Sequence, residues 1–196
     1  MSGWLLPGMP LLTKFTGQEL FYADTQNTQG IVPESGGISP TVMAAALLYF
    51  GNFASKTTVA GTRYFSSINS GVSMTVTGIA VLIGSTGGTD NWLVELHDST
   101  GALVATSATA GVTAGTAGSW QQIAFTAAVT VPAGTYFIVV QSNGTTAKPA
   151  VYNFPAPSAA PYPLLTGSST GTFGTSAAIT PPTTYTANVG PVALPY

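Results

Sequence analysis

His97 is the single imidazole of the chain, and with Glu95 two residues before it and Asp98 directly after it forms the one cluster from which acid–base or metal chemistry could be assembled. In an extended strand, residues two apart share a face, so Glu95 and His97 point the same way. The alternating Trp92, Val94 and Leu96 fall on the opposite face and read as core. This pattern predicts a strand with one buried and one wetter side, and it places the carboxylate and imidazole in solvent. No catalytic, cofactor-binding or metal-ligating residue is assigned there.

Other chemistry is scarce. With one His, no Cys and six Asp plus Glu, the chain holds few groups that could meet in a cleft with matched proton affinities. Asp90 and Asn91 lie in an oxygen-rich loop, but one carboxylate is a poor calcium cage. The glycine-rich stretches lack the lysine and the strand-to-helix context of a phosphate loop, and there is no Gly-x-Ser-x-Gly elbow. Asn143-Gly144-Thr145 matches a glycosylation sequon, yet Asn-Gly directly after a strand is also a strong turn signal, and the turn reading is preferred.

Composition excludes further classes. Only 5% of the 196 residues are charged and the formal net charge is −2, while 45% are hydrophobic, so the chain is uncharged without being disordered by composition. Lys14, Lys56, Arg63 and Lys148 stand singly, and no basic stripe exists to neutralise phosphates, which argues against nucleic acid. Residues 1–12 are apolar but broken by Pro7, Gly8 and Pro10, unlike a signal peptide, and no run reaches the length of a membrane span.

The elements that position these residues follow from periodicity. Residues 1–38 show no sustained period and read as an extended arm. Ser39 as N-cap, Pro40 at the first helical position and the spacing of Val42, Ala45, Ala46, Tyr49 and Phe53 predict a short α-helix over 41–53. After Lys56, short β-rich runs recur between Gly, Ser and Asn clusters, the pattern of a sandwich or barrel. Strands are expected around Ile79, Val81 and Ile83, over 91–98, over 102–109 after the turn 98–101, over 120–125, and over 136–141 after the turn 132–134. The continuous apolar run in 136–141 marks a central strand. The prolines crowd beyond residue 148, so no central strand is expected through 154–163, whereas 185–194 reads as a closing edge strand. The small-residue stretches 111–119 and 167–178 read as loops. Residues 1–55 thus form an arm plus helix, and 56–196 a sandwich with a Pro-rich end.

Two pieces carry a family resemblance. The stretch TGQELFYADTQNTQG (16–30), followed by the short helix, resembles the N-terminal segments of tailed-bacteriophage structural proteins. The stretches TGALVATSATAG (100–111), SWQQIAF (119–125) and VPAGTYFIVVQSNG (131–144) resemble jelly-roll domains of the carbohydrate-binding-module-like kind found in surface and virion proteins. The resemblance implies an all-β fold, a jelly-roll β-sandwich preceded by an extended arm and one short α-helix. It also implies a non-enzymatic decoration, or cement, protein on the capsid exterior of a virion assembled in the host cytoplasm, without cofactor. Its expected partners are the major capsid protein and copies of itself, with a homotrimer favoured and neither nucleic acid nor membrane involved.

The candidate attachment residues are Trp4, Leu5, Leu6, Leu11, Leu12, Phe15, Leu20, Phe21, Tyr22, Met43, Leu47 and Phe50. Further aromatics, Tyr49, Tyr152, Phe154, Tyr162, Tyr185 and Tyr196, serve either such an interface or packing within the chain. The alternative role is a head-fibre or tail-associated adhesin that binds a host glycan.

Overall fold

The computed structural model describes residues 53–153 and 164–196. Eleven strands and no helix are found there: β1 (Phe53–Ser55), β2 (Arg63–Ser70), β3 (Met74–Leu82), β4 (Asn91–Asp98), β5 (Leu103–Thr106), β6 (Val112–Thr113), β7 (Trp120–Val131), β8 (Gly134–Ser142), β9 (Ala150–Tyr152), β10 (Thr166–Ser169) and β11 (Ala193–Pro195). Of the expected helix, residues 41–52 lie outside the described residues, and Phe53 is a strand residue facing Tyr152 across the β1–β9 ladder.

The described fold is all-β and antiparallel, as a sandwich requires. A six-stranded sheet runs β10-β2-β8-β4-β5, with β6 also on β4; a three-stranded sheet runs β11-β3-β7; and β1-β9 form a short ribbon. Strand order interleaves along the chain: β8 returns between β2 and β4, and β7 returns beside β3. Bridges from Ile83 to Pro149 and from Val151 to Pro191 tie the ribbon to the smaller sheet's end.

The main core lies between the two sheets. Val76, Ile79 and Val81 of β3 and Ile123 and Phe125 of β7 meet Trp92, Val94 and Leu96 of β4 and Ile138 and Val140 of β8. These are the alternating positions that the sequence marks, and each large apolar side chain so buried contributes roughly 1.5–3 kcal/mol before chain entropy is set against it. A second cluster gathers Leu82, Ala150, Tyr152 and Val192 with Phe53, Trp120, Leu164 and Tyr185. There Tyr152 and Tyr185 pack within the chain, with the Phe53 and Tyr152 rings edge to face at 5.9 Å.

Local chemistry sets the turns. Asp98 Oδ1 accepts hydrogen bonds from Thr100 N (2.8 Å), Thr100 Oγ1 (2.6 Å) and Ala102 N (3.0 Å), closing the β4–β5 hairpin at the expected place. Those bonds, led by the Thr100 hydroxyl, hold the Asp98 carboxyl below its ordinary range. The turn after Val131 also falls where expected, and β8 is central, paired on both edges. The closing strand is shorter than the expected 185–194: β11 spans Ala193–Pro195 at the edge beside β3, and before it Pro191 makes a single bridge to Val151. Asn143-Gly144 ends β8 but makes no two-residue hairpin, because the chain runs on to β9, which pairs with β1.

Candidate functional site

The large sheet has a second face, turned away from the main core, and its residues come into register across β2, β8 and β4. Arg63, Gln141 and Leu93 form one row; Phe65, Val139 and Glu95 the next; Ser67, Phe137 and His97 the third. Every one of these side chains is buried. The expectation that Glu95 and His97 sit on a wetter strand face is therefore wrong: both are at 0% exposure. The reason is a strap, residues 171–181, that lies across this face.

The strap is held through its main chain. Gln141 Nε2 donates to Thr172 O (3.2 Å) and Gln141 Oε1 accepts from Gly174 N (3.3 Å). Arg63 Nη1 donates to Ala177 O (3.0 Å) and Nη2 to Thr175 O. Ile179 N donates to Gly101 O (2.9 Å), and the Ile179 side chain closes a small cluster with Phe65, Phe137 and Val139. Ser176 Oγ lies 3.3 Å from Thr106 Oγ1 at the β5 edge. Gly101, at φ 86°, must be glycine twice over: the turn needs a positive φ, and an added Cβ would run into the Ile179 carbonyl.

Beneath the strap His97 Nε2 lies 2.9 Å from Glu95 Oε2, and Nδ1 lies 3.0 Å from Gly101 O. A carbonyl can only accept, so Nδ1 carries a proton. Each of the two side chains is the other's hydrogen-bond partner, which is what allows a carboxyl group and an imidazole to sit out of water together. Glu95 Oε1 and Arg63 Nε, both buried, have no hydrogen-bond partner among the described residues. With the strap in place the imidazole reaches no solvent, so the pair's visible work is to hold β4 to the 98–101 turn.

The loop pair reads differently from a calcium cage. Asp90 Oδ2 accepts from Thr146 N (2.6 Å) and Ala147 N (2.8 Å), so the carboxylate caps the 143–149 loop. Its other oxygen lies so close to Gly144 that a Cβ there would overlap it. Asn91 Nδ2 donates to Ala110 O, and Asn91 Oδ1 accepts from Thr113 Oγ1. Among the described residues no three His, Cys, Asp or Glu side chains group as a metal site.

The candidate attachment residues Trp4, Leu5, Leu6, Leu11, Leu12, Phe15, Leu20, Phe21, Tyr22, Met43, Leu47 and Phe50 lie outside the described residues. Arg63 and Gln141, which grip the strap, are what the sequence reading missed. The signal was there in part: an apolar run as continuous as 136–141 needs a cover on both faces, and the same cover must extend over neighbouring β4. No helix among the described residues is long and apolar enough to cross a membrane. No protein-family model matches the chain, and no match to it was found among curated proteins or solved structures.

Proposed function

We propose that this chain is a virion structural protein that binds the outside of a tailed-phage capsid and stabilises it. The residues that precede β1 serve as the attachment device and the sandwich as its clamp. The major capsid protein and other copies of the chain, arranged as a trimer, are the partners. The observation that carries the reading is how the sandwich spends its ionisable side chains. Asp90, Arg63, Glu95, His97 and Asp98 all bind its own backbone or one another. The face of β3 and β7 turned away from the core meanwhile presents uncharged residues, with Thr75, Thr77, Gln122, Ala124, Thr126, Ala128 and Thr130 exposed.

Such a surface suits a scaffold in a crowded assembly, where few charges need desolvating. The interleaved order of β2, β8 and β4 against β3 and β7 supports a jelly-roll winding, in line with the resemblance carried by 100–144. Deleting residues 1–38 is expected to abolish binding to expanded tailed-phage capsids, measured as occupancy after sedimentation. Unchanged occupancy of the truncated chain overturns the proposal.

The second reading, a glycan-binding adhesin, draws on a groove of about 530 Å³ lined by Phe65, Pro181, Pro182 and the residues Thr166, Ser168, Thr180, Thr183, Thr184 and Thr186. Sugar stacking needs an open ring, however, and Phe65 is 3% exposed. The large apolar side chains most exposed among the described residues are Val59, Val72, Leu103 and Val112, none aromatic. These observations favour the assembly reading.

A further inference from the structure

The segment 164–196 borrows most of its structure from residues 53–153. β10 adds to the edge of β2, β11 adds to the edge of β3, and the strap between them lies on the second face of the large sheet. Its hydrogen bonds run mainly outward; apart from ties between Thr166 and residues 184 and 186 and a turn from Thr172 to Thr175, it makes few to itself. The face that receives the strap reads main chain: Gln141 takes a carbonyl and an amide, Arg63 two carbonyls, Gly101 O one amide. The Ile179 side chain is the anchor in a pocket formed by Phe65, Phe137 and Val139. This is how a protein binds an extended peptide, with affinity from the backbone and selectivity from one or two side chains.

We infer that the strap-covered face is a peptide-reading surface whose occupant, in the assembled protein, is residues 164–196 of a second copy of this chain. Contacts made by groups on 53–153 to groups on 164–196 are the same whichever copy supplies each part, so exchange forfeits none of them. The two parts are joined through residues 154–163, which include Pro155, Pro157, Pro161 and Pro163. Ten residues span at most about 36 Å, enough to reach a neighbouring subunit. Tethering gives the chain's own segment an effective concentration in the millimolar range, so exchange needs copies crowded to a similar density, as in an oligomer. The inference concerns copies of this chain and holds whatever surface they are attached to.

The chain has no cysteine, which makes the test clean. Thr106→Cys and Ser176→Cys place thiols where the two hydroxyls stand 3.3 Å apart. The two single variants of the full chain are unfolded in urea, refolded together at high concentration, and oxidised with oxidised glutathione, which takes the two electrons and two protons of each disulfide. A disulfide-linked species of twice the chain mass, absent from either variant refolded alone, is expected. Its absence, while the double variant T106C/S176C closes within one chain, overturns the inference. A second measurement needs no disulfide: light scattering of the unmodified chain after refolding at rising concentration. Oligomers that persist on dilution are expected, and a monomer at every concentration overturns the inference as well.

Discussion

His97 Nε2 stands 2.9 Å from Glu95 Oε2, two residues apart on one strand, with both side chains wholly out of solvent. Removing one member strands the other. Glu95→Ala or His97→Ala is expected to cost about 3–5 kcal/mol in urea unfolding, because a buried polar or charged group loses its partner. Replacing both with apolar residues of similar volume, Glu95→Leu with His97→Phe, should cost less than the two single changes summed. A single-variant loss under 1 kcal/mol would contradict the placement of the pair.

Arg63 grips two strap carbonyls with one planar fork. Arg63→Lys keeps the charge and loses the fork. Amide hydrogen exchange at Gly174 and Ile179 is expected to rise on the order of 10-fold or more, the equivalent of losing about 1.5 kcal/mol from charge-assisted bonds. Ile138 and Val140 should keep their protection. Equal acceleration in the strap and in β8 would show that Arg63 supports the whole sheet instead.

Gly101 and Gly118 separate two effects of positive φ. Gly118, at φ 74°, has nothing within 4 Å of an added Cβ, whereas Gly101, at φ 86°, faces the Ile179 carbonyl. Gly118→Ala should cost about 1–2 kcal/mol, the conformational part alone. Gly101→Ala should cost more and should also loosen the strap. Equal losses in thermal or urea unfolding would mean that the strap does not press on the turn.

Burial pushes the Tyr152 hydroxyl far above the ordinary tyrosine range. A group whose proton is held more tightly in the folded state stabilises fully below its unfolded pKa, about 10, and that stability is lost as pH rises beyond it. Unfolding free energy is therefore expected to fall from about pH 10 upward. Tyr152→Phe should flatten that fall, whatever it costs at neutral pH. Tyr196, raised in the same direction by burial, leaves a smaller residual slope. A Tyr152→Phe curve parallel to the unmodified one across this range would contradict the assignment.

The elements that alternate were legible, because a strand with one face on the core writes a period of two. Trp92, Val94 and Leu96, and Ile79, Val81 and Ile83, lie in the main core as that period requires. The cover on the second face was legible only in part: the continuous apolar run 136–141 calls for one, but nothing in the strap's own sequence marks it as that cover. The strap carries two large apolar side chains, buried Ile179 and half-buried Phe173, among Gly, Thr, Ser, Ala and one Pro, too few to write a strand or helix period, and most of its ties run through backbone atoms that leave no mark on side-chain choice. Glu95 and His97 looked solvated for that reason. Their polarity belongs to a hydrogen-bonded pair sealed beneath the strap. Arg63 and Gln141, which hold that strap, stood in strands whose pairing partners no local pattern could name.

The measurement that bears most directly on the proposed role is an electron-microscopy map of the particle that carries this chain. The account expects two-sheet sandwich density on the outer surface of the capsid shell, grouped about threefold positions, with the N-terminal residues lying against the major capsid protein. A particle whose shell carries no such density, or one that holds the sandwich only at a tail tip or fibre, would contradict it.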